Sequence, residues 1–425
     1  MELTKGLLAL REDACAAIKD ENIQEIYRKC FGSTWETTLS LDENGTSFVI
    51  TGDIEAMWLR DSSMQVLPYL EGIGEEEVWK ALRELVWKQA ECVNIDPYAN
   101  AFNKNGDYSC WLKDDTEMGP YIWERKYEVD SLAFHLFLLE HVYQAAKEKR
   151  PESAGELLTE AEEQALEKIL EVWKTEQRHA TSPYTFRRDS DLETETLQND
   201  GRGRAVGYTG MTWSGFRPSD DACYYNYLIP SNILAVSVLK ELKKLPVRED
   251  LAEKAAKLAG ELEEGIDRYG IIRHPEYGEI FVYETDGLGN YRLMDDANLP
   301  SLLGTTLVPV KEKWKEVYRN TRRFLLSAEN PYYYEGKFGK GIGSPHTPER
   351  YIWHIALCVQ GMTSENPEEQ KEILETLKNT TAGTGLMHEG FDVDAPEHFT
   401  RDWFAWANSM FCLFVNSKKK KKTVL

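Results

Sequence analysis

The chain has 425 residues, with 50 Lys and Arg against 72 Asp and Glu, a formal net charge of −22. That balance argues against a nucleic-acid binder, whose affinity for phosphate rests on a basic surface. A content of 42% hydrophobic and 11% aromatic residues equally argues against a disordered acidic chain.

The predicted elements, in chain order, begin with an amphipathic helix in MELTKGLLALREDACAAIKDE, too acidic for an export signal. A strand pair over Thr34 to Val49 turns at Asn44 and Gly45, and a helix is expected over Ile54 to Leu70. Glu75 to Cys92 sets Val78, Leu82, Leu85 and Val86 on one helical face, and Tyr127 to Lys147 and Ala154 to Trp173 repeat the pattern. Further helices follow at Ile233 to Leu245, Leu251 to Tyr269, near Leu299, and at Val310 to Leu326, Tyr351 to Met362, Glu368 to Lys378 and Phe399 to Phe414. A hairpin over Ile271 to Tyr283 bends at Tyr277 and Gly278. About a dozen helices with no Pro- or Gly-rich linker point to an all-α toroid of helix hairpins decorated by short β-hairpins. Residues 1–417 read as one catalytic domain and 418–425 as a basic, disordered tail. No repeat of fixed period marks a regular solenoid, and periodicity alone does not separate a closed ring from an irregular bundle.

Seven scattered Cys, odd in number and without a CxxC pair, fit reduced thiols. No apolar run approaches the roughly 20 residues of a membrane helix, so a cytoplasmic protein is expected.

The loops between helices combine aromatics with carboxylates: GDIEAMWLRDS (Gly52 to Ser62), WSGFRPSDD (Trp213 to Asp221), MDDAN (Met294 to Asn298), GSPHTP (Gly343 to Pro348) and MHEGF (Met387 to Phe391). HExxH, GxxxxGK[ST] and GxSxG are missing, and the eight His are dispersed, so no cofactor and no metal site is expected. Carboxylates among aromatics suit sugars, whose C–H faces stack on rings and whose hydroxyls take directed hydrogen bonds. Glycoside hydrolysis needs an acid for the leaving oxygen and a second carboxylate opposite, and Asp220, Asp221, Asp295, Asp296 and Glu389 are the candidates.

MWLRDSSMQVLPYL (Met57 to Leu70), WERKYEVDSL (Trp123 to Leu132), TWSGFRPSDDACYYNYLIPSN (Thr212 to Asn232), MDDANLPSLL (Met294 to Leu303), GIGSPHTPERYIW (Gly341 to Trp353), MHEGF and FTRDWFAWAN (Phe399 to Asn408) together resemble glycoside hydrolase family 125. The resemblance runs from near residue 34 to near residue 410. It implies an (α/α)6 barrel and a metal-independent, inverting exo-α-1,6-mannosidase acting on α-mannoside oligosaccharides and N-glycan fragments. It also implies Asp220 as general acid, with Asp221 the alternative, and Glu389 as general base. Gly390 departs from the family pattern, where Ser is expected.

The acid would need a raised pKa, and the base would be kept ionised by His388 or Arg401. Arg60 and Asp61 are expected to hold the terminal mannose, with Arg217, Asp221, Asp296, Asn298, His346 and His388 as further ligands. Trp58, Tyr98, Trp213 and Trp403 are candidate stacking platforms. The rival readings are another exo-acting α-glycosidase on the same barrel and an inactive sugar-binding protein. No nucleic-acid or membrane partner is expected.

Overall fold

Helices of two kinds build the molecule, and burial separates them. The computed structural model describes residues 1–42 and 44–417. In Glu249–Tyr269 only one stripe is buried, from Leu251 through Ala255, Leu258 and Leu262 to Ile266. In Ile229–Glu241, by contrast, every residue from Ile229 to Leu239 is buried. A helix apolar on one face covers a core, whereas one buried all round lies within it.

The helices buried over most of their length form the inner wall: Leu59–Val66, Val129–Lys149, Ile229–Glu241, His354–Thr363 and Ala405–Ser417. Each packs beside the next, and Ala405–Ser417 returns to Leu59–Val66, while the 3-10 turn Thr305–Leu307 touches Ile229–Glu241 and His354–Thr363 and bridges the remaining gap. Around them stand Glu21–Ser33, Glu76–Ile95, Glu160–Glu176, Glu249–Tyr269, Glu312–Leu325 and Pro367–Asn379. Three of them start on a side-chain cap: Asp20, Thr159 and Asn366 accept from the first-turn amides of their helices. The result is an all-α (α/α)6 toroid with short β-hairpin decorations.

The strands act as pins at one end of this toroid. Met57–Trp58 pairs with Ala101–Phe102, which pairs with Ile122–Glu124. Tyr227–Leu228 pairs with Glu284–Thr285, and Tyr351–Trp353 with Gly390–Asp392. Three of these strands, Met57–Trp58, Tyr227–Leu228 and Tyr351–Trp353, run straight into inner helices, so the pins fix the loops around those helices' N-terminal ends.

Several expected boundaries move. Ile54 to Leu70 is helical only over Leu59–Val66, because Met57 and Trp58 are taken by the sheet and Leu67–Gly72 tightens to a 3-10 turn with Pro68 at its start. Phe399 to Phe414 is helical only from Ala405, with Phe404 bridged to Gly52. Residues Thr34 to Thr38 continue the preceding helix as a π-turn, and only Leu39–Leu41 and Ser47–Val49 pair. No helix forms at Leu299, where the Asp295 carboxylate takes the amides of Leu302 and Leu303 at 2.8 Å each. The hairpin of Ile271–His274 with Gly278–Phe281 forms where expected. The basic tail, 418–425, lies outside the described residues. Among the described residues no helix is long and apolar enough to cross a membrane.

Candidate active site

A cavity of about 450 Å³ opens at the pinned end of the toroid. Its wall includes Trp58, Arg60, Asp61, Asp220, Asn298, His346 and Glu389, bringing together side chains that lie up to 331 residues apart. Trp111, Lys126, Trp353, Arg401, Phe404 and Trp406 complete much of the lining. The volume falls in the range of roughly 300–1,000 Å³ usual for small-molecule sites.

The Asp220–Asp221 doublet is divided by one backbone torsion. Residues 217–221 make a tight turn, the Asp220 amide donating to the Arg217 carbonyl and the Arg217 amide to the Asp221 carbonyl. Asp220 sits in the left-handed region at φ 64°, an uncommon conformation for a residue with a side chain. This presents the Asp220 carboxylate to the cavity and turns Asp221 behind the wall, where its Oδ1 meets His346 Nδ1 at 3.0 Å. Asp220 Oδ1 accepts from Asn100 Nδ2 at 3.1 Å, Trp58 Nε1 at 3.3 Å and Arg60 Nη2 at 3.4 Å.

Arg60 stands at the centre of the floor. Its guanidinium lies 2.6 Å from Glu128, 3.2 Å from Asp130, and 3.4 Å from both Asp61 and Asp220. Burial pushes Asp61 up to about 6, although Arg60 and Arg401 oppose the rise. Asp61 Oδ2 lies 3.4 Å from Arg60 Nε and makes no hydrogen bond within the protein. Burial would also raise Asp220, but the charges of Arg60, Lys126 and His346 hold it well below the ordinary carboxylate range. The raised acid expected at Asp220 is therefore not what the resting site presents. Burial, with Asp220 and Asp130 nearby, raises Glu128 far above its usual value against the opposing charge of Arg60.

Glu389 leaves the strand pair of Gly390–Asp392 with Tyr351–Trp353 and faces the same cavity. Arg401 Nη1 lies 4.0 Å from Glu389 Oε1, while its other nitrogens are committed to Asp53. Burial lowers the His388 imidazole, and of the two groups expected to keep the base ionised Arg401 is the one that faces it. Gly390 has a packing reason: a Cβ there would come within 3.1 Å of Trp353 Cδ1, tighter than ordinary contact, so a serine would press on a pocket wall.

Not every expected ligand reaches the cavity. Trp213 is a core residue, fully buried and stacked on His179 at 3.5 Å between ring centres. Tyr98 is likewise buried, its hydroxyl donating to Glu176. Arg217 holds Glu284 at 2.6 Å and so braces the Asp220 turn from behind. Asp296 accepts from Ser219 Oγ at 2.8 Å, and Asp295 is spent on its two amides, with burial pushing it up to about 8. His388 stacks on Phe399 with Nδ1 at the Arg401 carbonyl. Trp403 lies against Gly52 through its backbone.

Sequence reasoning missed Asn100, Glu124, Lys126, Glu128, Asp130, Arg188 and Glu195. Arg188 ties Asp114, Glu124 and Glu195 together at 2.6–2.8 Å, and Lys126 joins Glu195 at 3.3 Å. A signal existed for part of this group, since WERKYEVDSL places five charged side chains at the start of a helix whose first half is mostly apolar. Charge at such a place must be paired or functional.

An (α/α)6 toroid whose inner-helix ends carry acids, arginines and tryptophans around a pocket defines a glycoside hydrolase. The chain belongs to glycoside hydrolase family 125, the metal-independent α-mannosidases, whose family model matches residues 20–416. It is similar to a metal-independent α-mannosidase structure from Streptococcus pneumoniae, solved as a non-productive complex with α-1,6-mannobiose. The identity is 41%, the TM-score 0.93, and the match covers 98% of each chain. It is 36% identical to the meiotically up-regulated gene 157 protein of Schizosaccharomyces pombe, over 97% of this chain and 85% of that protein. A bacterial glucoamylase complexed with acarbose shares the fold at 12% identity and a TM-score of 0.51, over 87% of this chain and half of that one.

Proposed function

We infer that this α-mannosidase removes a single α-1,6-linked mannose from the non-reducing end of its substrate, with inversion and without a metal. The observation that carries the reading is that Asp220 and Glu389 line one cavity whose floor, Arg60, Asp61 and Trp406, is at most 4% exposed. A pocket closed at its base suits the end of a chain. The mannobiose held by the pneumococcal relative supports the choice of linkage.

In this reading the terminal mannose rests on Arg60 and Asp61, the guanidinium donating to hydroxyls and the carboxylate accepting from them. His346 and Asn298 contact the same ring, and Trp58 and Trp406 cover its C–H faces. Asp220 gives a proton to the glycosidic oxygen as its bond to C1 breaks. Glu389 takes a proton from the water that attacks C1 from the opposite face. One displacement releases β-mannose.

Hydrolysis of α-1,6-mannobiose followed by proton NMR tests this. β-Mannose is the expected first product, with a rate unchanged by chelator. α-Mannose as the first product, or full activity in Glu389→Gln, would overturn the mechanism.

A further inference from the structure

A second cavity, of about 270 Å³, lies on the far side of the wall that carries Asp220. The two cavities share loops but divide their residues. In the segment 193–198, Glu195 lines the catalytic cavity, whereas Glu193, Thr194, Thr196 and Gln198 line the second. In the turn after Phe216, Pro218, Ser219 and Asp220 face the first cavity, and Arg217 and Tyr224 face the second. A volume near the lower end of the range for small-molecule sites, roughly 300 Å³, suits one small ligand.

Three arginines from three separate segments converge here: Arg204, Arg217 and Arg292. Glu284 sets their frame. Its Oε1 accepts from Arg217 Nε at 2.6 Å, and its Oε2 accepts from the amides of Tyr224 and Tyr225 at 3.2 and 3.1 Å. Its strand pairs it in register with Arg292. The Tyr224 ring fixed in this way carries two guanidiniums, that of Arg204 at 3.9 Å from its centre and that of Arg292 at 5.2 Å. Among the described residues neither guanidinium has a carboxylate within salt-bridge distance or a hydrogen-bond acceptor. Arg217 is 2% exposed and donates only through Nε, so its terminal nitrogens make no hydrogen bond within the protein. A buried donor left unpaired is costly unless a ligand meets it.

The chemistry of the lining selects the ligand. Among the described residues the lining holds one carboxylate, Glu193, against three arginines, of which Glu284 neutralises one. In a chain of net charge −22 the cavity is locally positive. Guanidiniums present planar forks that match phosphate oxygens, and the Thr194 and Thr196 hydroxyls add donors. Thr196 Oγ1 accepts from the Arg188 amide at 3.0 Å, which leaves its proton to give. The cavity has room beyond a bare phosphate, and Glu193 and Gln198 supply the acceptors that hydroxyls of an attached body need.

We propose that this cavity is a second ligand site, separate from the catalytic one, and that it takes a small phosphate monoester such as a sugar phosphate. The phosphate sits among Arg204, Arg217 and Arg292, and the hydroxyls meet Glu193 and Gln198. The proposal makes no use of the roles assigned to Asp220 and Glu389, so it stands or falls apart from them.

Isothermal titration calorimetry with mannose 6-phosphate and with inorganic phosphate tests it. Mannose 6-phosphate is expected to bind one to one and more tightly than inorganic phosphate. Arg204→Gln and Arg292→Gln should each weaken that binding about tenfold, the weight of a hydrogen bond to a charged group, while kcat and KM on α-1,6-mannobiose stay unchanged. Glu193→Gln removes a like charge at an exposed position and should tighten binding about threefold, a direction that damage to the fold does not produce. Should an arginine variant not fold, this second substitution decides, and unaltered or weaker binding in it would overturn the proposal. Inorganic phosphate bound as tightly as the monoester, or an affinity unchanged in both arginine variants, would do the same. So would competitive inhibition of α-1,6-mannobiose hydrolysis by mannose 6-phosphate, which would put the ligand in the catalytic cavity.

Discussion

His346 and Asp221 meet at 3.0 Å across 125 residues of sequence, and that contact turns a histidine into a cation at the rim of the sugar pocket. Burial alone would lower the imidazole, but the hydrogen bond and charge of Asp221, with Glu389 and Asp220 beyond, push it up to about 9. Because the folded value lies above the unfolded one of roughly 6.5, the stabilisation is complete below that pH and is lost as pH rises through about 9. The melting temperature should therefore fall over pH 6.5 to 9 in the native protein. His346→Gln should start lower and lack that fall in thermal melts across the range.

The two members of the aspartate doublet should fail differently. Asp220→Asn should lower kcat on α-1,6-mannobiose by about 10²–10⁴, the usual weight of a general acid, while sparing substrates with activated leaving groups. Asp221→Asn acts through His346, so losses should be similar on both kinds of substrate. Equal leaving-group selectivity in the two variants would contradict the division made by the turn at Asp220.

Removing Arg60 leaves Asp61, Glu128, Asp130 and Asp220 without their common cation. Breaking a buried ion pair from one side costs about 3–5 kcal/mol, because the stranded charge stays behind. Arg60→Met should lose about that much in urea unfolding, and Arg60→Lys less. A variant with native stability would mean that these acids are neutral already.

Trp213 offers a test of core against platform. Trp213→Ala should cost about 3–5 kcal/mol through the cavity left beside His179 and Tyr127, yet leave KM unchanged at temperatures where the protein stays folded. Trp406→Ala, on the pocket wall, should raise KM.

Much of the architecture was legible from periodicity, since an amphipathic stripe such as that of Glu249–Tyr269 needs only its own sequence to be seen. The errors fall at the pinned end. Ile54 to Leu70 and Phe399 to Phe414 read as longer helices than they are because their first residues are claimed by Ala101–Phe102 and by Gly52, far away in the chain. Candidate acids could be collected from motifs, but Trp213, Arg217, Asp296 and His388 carry the same chemistry as true wall residues. Nothing local tells a side chain facing the cavity from one braced behind it.

The −22 charge and the aromatic surplus excluded nucleic acid and disorder, and the motif strings were enough to place the chain among α-mannosidases. Which acids share a site was beyond them. One positive φ sends Asp220 into the pocket and Asp221 behind it, and short strands gather residues from Arg60 to Arg401 at one end of the toroid. Only that gathering sets four carboxyls around one guanidinium. Protonation there depends on burial and on neighbours remote in sequence, so the charge state of the site is a property of the tertiary structure alone.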